Sequence, residues 1–198
     1  MIEAPFYGAS FFSEEFTHRA RDEAGPTRHR QHILSQVAVD GSDMAMRTNK
    51  PMTEADYKSV LQNILRAHAP SAMENLRHIK QQLPIKTRML MIGIHPGQGE
   101  EGFFDIVVHL DGPDLYVLNK AVAPYRTLFE VRCIDGRMQP DVPMYDTDEA
   151  PFSVNDAIVD ISMEWVEELW RDFGGLGLPA QVFGEEGYGA VAAKTLTP

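Results

Sequence analysis

Apolar positions recur at three- and four-residue spacing in some parts of the chain and alternate in others, and the elements follow from that pattern. Tyr57, Val60, Leu61, Ile64 and Leu65 mark one face of a helix. Thr53-Glu-Ala-Asp56 precedes them, placing a hydroxyl and a carboxylate to satisfy free backbone N–H groups. Pro70 is expected to end this helix. Ser71-Ala-Met-Glu74 then opens a second one, with Met73, Leu76, Ile79 and Leu83 inward and Pro84 as its stop. So short a connection predicts an antiparallel helical hairpin.

Strands come next. Thr87–Ile94 reads as one, and residues 96–102 (PGQGEEG) as a glycine-rich turn. Residues 103–110 form a second strand, with Phe104, Ile106, Val108 and Leu110 on one face. Leu115–Leu118 is expected as a short third strand. Leu128–Ile134 is expected as a fourth, closed by the hairpin signal Asp135-Gly136. Pro140, Pro143 and Pro151 confine the next stretch to loop or edge strand. Ser153 caps a long helix over 153–173, which Gly174-Gly175 terminates. A last edge strand is expected around Gln181–Phe183. The order predicts an α+β fold: a helical hairpin, an antiparallel sheet of four to five strands, and a long C-terminal amphipathic helix packed on one face.

The single domain spans 52–198. Residues 1–51 read as an N-terminal appendage, partly ordered or packed on the core through Phe11, Phe12 and Phe16, with a helix near Ser13–Glu23.

Charge sharpens the picture. The 198 residues carry net charge −11. Residues 1–134 hold 15 basic and 16 acidic side chains, and residues 135–198 hold 3 and 13. The excess sits almost wholly in the last third. This balance excludes a basic nucleic-acid binder. No apolar run approaches the roughly 20 residues a membrane span needs. The first residues lack the basic and apolar regions of a secretory signal. Cys133 is the single cysteine, so no internal disulfide or multi-cysteine zinc site exists. A cytoplasmic protein is expected.

The long helix concentrates that charge. Val154, Ala157, Ile158, Ile161, Trp165 and Leu169 share one arc of about 120°. Asp156, Asp160, Glu164, Glu167 and Glu168 share the opposite one. Four of these acids follow one another at i, i+4 with no cation between, each like-charge pair costing a few tenths of a kcal/mol. A solvated face explains the stripe, and so does a docking surface for a basic partner. Trp170 sits at the edge of the apolar arc, where a binding anchor or a core edge would both place it. Asp141, Asp146, Asp148 and Glu149 extend the acidity into a loop without the spacing of a calcium-binding loop.

Other chemistry is sparse. There is no His-Glu-x-x-His, no phosphate-binding glycine loop and no Gly-x-Ser-x-Gly elbow, so no catalytic or metal-ligating set and no cofactor is assigned. His95, at the end of one strand, could converge with Asp105 and His109 on the next as an acid–base pair. Polar residues on the exposed side of a strand need no such role.

FDIVVHLDGPDLYVLNKAV, the helix carrying Trp165 and Trp170, and the ending VFGEEGYGAV together resemble a family of small uncharacterised bacterial α+β proteins, over 52–198. The resemblance implies a bacterial, cytosolic protein and brings no catalytic residue with it. The leading expectation is a non-enzymatic binding module, immunity-protein-like, whose Asp156, Asp160, Glu164, Glu167, Glu168 and Trp170 dock a basic protein. The alternative is a small-molecule-binding or metal-dependent enzyme with a site between sheet and helices. A homodimeric scaffold is a third possibility.

Overall fold

A computed structural model describes residues 52–97, 102–145, 150–185 and 187–198. They belong to one compact unit, 48–198. The appendage expected over 1–51, Glu100, Glu101 and the loop acids Asp146, Asp148 and Glu149 lie outside the described residues.

The fold is α+β. Helix α1, Glu54–Gln82, begins at the predicted cap: Thr53 Oγ1 accepts from the Asp56 N–H at 3.2 Å, and the Thr53 N–H donates to Asp56 Oδ2 at 3.2 Å. It does not stop at Pro70. The expected hairpin is one continuous helix of 29 residues with Pro70 inside it. Packing explains the outcome. Tyr57, Leu61 and Leu65 before the proline, and Ala72, Leu76 and Ile79 after it, are all fully buried along one stripe. An interior proline costs about 3 kcal/mol. Each large side chain so buried contributes about 1.5–3 kcal/mol, so the stripe outweighs the break.

Strands β1 (Met89–Pro96) and β2 (Phe104–Asp111) pair antiparallel over their whole length, from Met89 opposite Asp111 to Pro96 opposite Phe104. The expected third strand is instead a helix, α2, Leu115–Ala121. Four apolar residues in a row do not fix a period, and Asp114 decides it by capping: its Oδ1 accepts from the Val117 N–H at 3.1 Å. Asn119 of α2 then bonds both the N–H and the C=O of Leu110, each at 2.9 Å. Its amide thus serves the end of β2 as a neighbouring strand would.

The expected fourth strand divides at Val131. β3, Thr127–Glu130, joins β2; β4, Arg132–Ile134, turns back on β5, Arg137–Gln139, as a separate two-stranded ribbon. Asp135 and Gly136 both have positive φ, as a two-residue hairpin loop requires. Helix α3, Val154–Phe173, follows, ended by Gly174 in the left-handed conformation. Then come β6, Ala180–Gly184, and β7, Ala193–Thr195.

The main sheet has the order β3-β2-β1-β6-β7, and β6 runs parallel to β1. The sheet is therefore mixed, not antiparallel. A parallel neighbour needs a long crossover, and the chain through α3 supplies it. The last predicted strand is interior rather than at the edge, with β7 outside it. α1 and α3 pack on each other and on one face of the sheet. Leu90, Ile92, Ile94, Ile106, Val108, Leu110, Ala180 and Val182 fill that face. Alternation sends His95, Asp105, Val107, His109 and Phe183 to the second face, where all are only partly buried. No helix among the described residues is long and apolar enough to cross a membrane.

Pro70→Ala should restore a backbone donor in α1 without touching the core. Chemical denaturation should show a gain of about 1–3 kcal/mol; an unchanged or lowered stability would mean that the proline is required for the helix's course.

Candidate functional site

The acids of α3 are placed by its buried face. Twelve of its 20 residues are buried, so the carboxylates take what remains of the helix surface. The fold then uses most of them. Asp156 Oδ1 accepts from the Gly189 N–H at 2.7 Å, and Asp160 Oδ1 from the Ala190 N–H at 2.8 Å. Asp160 also faces Lys58 of α1 at 3.7 Å. Glu167 pairs with Lys194 of β7 at 2.8 Å, and Glu168 lies 4.0 Å from Arg66 of α1. Glu164 is exposed and has no ion pair among the described residues. The like-charge cost of the stripe is thus offset from elements distant in sequence. Lys58 is held above its usual pKa chiefly by its hydrogen bond to Glu54, with Asp160 adding to the effect.

Trp170 belongs to the core. It is 1% exposed, packed against Phe173 with ring centroids 6.0 Å apart, so it presents no aromatic surface to a partner.

Gly184 and Gly189 lie directly on α3. A Cβ at Gly184 or at Gly189 would come within 2.5 Å of Val159 Cγ1, and Gly189 has a φ of +83°. Glycine is needed at 189 on both counts. Tyr188 is 37% exposed.

The second face of the sheet carries the other cluster. His95 stands opposite Asp105, and Gly93 opposite Val107. The missing side chain at Gly93 lets the His95 ring lie over it, toward His109. His95 Nε2 and His109 Nε2 are 3.3 Å apart. Arg126, just before β3, donates from Nε to the Val108 carbonyl at 2.7 Å and from Nη2 to His109 Nδ1 at 2.9 Å. Phe183 of β6 lies beside both imidazoles, at 6.0 and 6.2 Å between centroids.

The direction of each bond follows from the arginine. A guanidinium only donates, so His109 Nδ1 accepts and the His109 proton is on Nε2. That N–H donates to His95 Nε2, leaving the His95 proton on Nδ1. Burial, and then the Arg126 charge, push the His109 pKa down to about 4. Burial raises the pKa of Asp105, with Glu130 and Glu185 adding to it and His95 opposing. Among the described residues Asp105 Oδ1 is buried without a hydrogen-bond partner, and Asp105 bonds neither histidine.

Three consequences follow for the expected chemistry. His95 and His109 do meet, but Asp105 does not join them as an acid–base pair. The cluster lies on the face away from α1 and α3, not between sheet and helices. The histidine pair is also ill-suited to a metal, because a proton occupies the His109 Nε2 that would have to ligate and Arg126 stands beside it. No group of three or more His, Cys, Asp or Glu that could hold a metal occurs among the described residues. Sequence reasoning missed Arg126 and Phe183. No motif marks them; only strand register brings them to the histidines.

Residues 52–197 match the model of a family of unknown function, DUF6389. The chain belongs to that family, in agreement with the resemblance drawn from its motifs. No curated protein and no solved structure shows a match.

Two stability predictions arise from this geometry. Asp160→Ala should free the Ala190 N–H and cost about 1–2 kcal/mol in denaturant unfolding, while Glu164→Ala should fall within about 0.5 kcal/mol of the parent. Equal effects would contradict the structural role of Asp160. The second concerns pH. Unfolded, His109 takes its proton near pH 6.5; folded, only near 4. Between those values the unfolded state holds more protons, so this contribution to stability is complete above 6.5 and is lost as pH falls toward 4. Asp105, with its raised pKa, acts in the opposite sense. His109→Gln should therefore flatten the loss of stability from pH 6.5 to 4, read by melting at each pH. An unchanged slope would refute the assignment.

Proposed function

We propose that this chain is a non-enzymatic binding module that docks a basic protein on the outer face of α3. One observation supports the reading best. After the fold has engaged Asp156, Asp160 and Glu167, the helix still exposes Glu164, Glu168 and Asp172 in a single i, i+4 row, with Glu168 only loosely paired to exposed Arg66 at 4.0 Å. The row stands on a helix whose opposite face is locked in the core, so its charges are held in fixed register. Asp156, Asp160 and Glu167 add to the field there without being free for contact. A cationic partner would relieve the repulsion within the row, and complementary fields would speed its approach and select it over neutral proteins. A second copy of this chain, at net −11, would be repelled, as would nucleic acid. An immunity protein against a cationic toxin is the concrete form of this reading. A bacterial cytoplasm suits it, since the exposed thiol of Cys133 survives best in a reducing compartment.

Affinity capture from bacterial lysate at low and then high salt tests this reading. A basic protein retained only at low salt is expected. With that partner in hand, the double reversal Glu164→Lys, Glu168→Lys should slow association roughly tenfold or more and flatten its salt dependence. Unaltered rate and salt dependence would sink the docking role of the row.

A further inference from the structure

We propose that Arg126, backed by His109 and His95 and flanked by Phe183, forms a site for a small organic carboxylate on the second face of the sheet. The proposal is independent of the docking row on α3.

It begins with a cation that has no acid partner among the described residues. The Nε and Nη2 partners of Arg126 are a backbone carbonyl and an uncharged imidazole nitrogen. Among the described residues Arg66, Arg77 and Arg132 have carboxylate partners. Arg88, Arg137 and Arg171 have none, but they are exposed to water. Arg126 alone is both partly withdrawn from solvent and without an acid. Its own pKa is lowered, with burial as the cause. A charge so placed is costly unless a counter-charge reaches it.

The remaining donors suit one kind of counter-charge. A guanidinium has five N–H groups, and two of them are spent on Val108 and His109. The end formed by Nη1 and Nη2 keeps the planar fork that grips two oxygens of one group. The two bonds already made fix that fork in place. The relay behind it, Arg126 to His109 to His95, runs donor to acceptor at every step and ends on a His95 N–H. The cluster therefore offers donors and no lone pair, which is what an anionic acceptor needs.

Two features select a monocarboxylate over phosphate. Asp105 lies on the same face, and Glu130 and Glu185 are near enough to influence it. Three acids repel a dianion more than a single negative charge. Phe183, Val107 and Met91 are partly exposed on this face, giving an apolar or aromatic body somewhere to lie.

The test uses the full chain and benzoate, acetate and inorganic phosphate as probes, read by NMR of the histidine rings. Benzoate should shift the His109 and His95 signals saturably, acetate more weakly and phosphate least. Arg126→Lys keeps the charge but loses the fork and should weaken benzoate roughly tenfold. Phe183→Leu should weaken benzoate while leaving acetate unchanged. If no probe moves the ring signals saturably, there is no such site. Phosphate binding tighter than benzoate would overturn the choice of ligand. Equal benzoate affinity in the parent and Arg126→Lys would remove Arg126 from it, and melting curves of each variant separate lost binding from lost fold.

Discussion

The burial of α3 is the constraint from which the rest follows. Twelve of its residues lie inside, Trp165 and Trp170 among them. A helix so deeply committed has little freedom of position. It packs on α1 and across β1 and β6. The chain that leaves it must return beside β1, and the direction of α3 makes that return parallel. The same packing presses Gly184 and Gly189 onto Val159, where only glycine backbone fits. It also brings β6 into the sheet at the register that sets Phe183 opposite Gly93, next to the two histidines. Both candidate surfaces are thus consequences of one buried helix face. The carboxylates occupy what that face leaves over, and the histidine cluster occupies the sheet surface that the helix does not cover.

What could be read in advance was whatever the chain encodes locally. The Thr53 and Ser153 caps, the alternation of β2, the Asp135-Gly136 turn and the stripe of α3 all depend on neighbours within four residues. Pro70 failed as a stop because its local cost competes with a burial stripe that exists only once α1 meets the sheet and α3. Leu115–Leu118 carried no period, so a single capping carboxylate settled it. The parallel pairing of β6 has no local signature at all. The acids of α3 were legible as a row, but their partners Lys58, Arg66 and Lys194 come from other elements. Arg126 was invisible for the same reason: its role depends on register between strands.

The two polar surfaces differ in how charge is balanced. On α3, acids outnumber cations, yet most are held by side chains or backbone amides, and the unbalanced remainder sits in water where it costs little. Exposed pairs such as Glu168 with Arg66 contribute at most about 1 kcal/mol, so the row can be altered without unfolding the protein. On the second sheet face Arg126 is partly removed from water and has no acid partner among the described residues. Misbalance there is expensive.

Register keeps that misbalance in place. Asp105 pairs with His95, Val107 with Gly93 and His109 with Met91, so the acid lies two residue pairs from the imidazole that Arg126 holds. Along a strand that is about 13 Å between the Cα atoms of Asp105 and His109. A slip of one residue would carry every histidine and acid of β2 to the helix face and its core residues to solvent, which the burial of Ile106, Val108 and Leu110 forbids. The hydrophobic core therefore fixes the separation of Asp105 from His109. The pairing that holds β1 and β2 together is thus the same pairing that sets Asp105 apart from the imidazole that Arg126 holds.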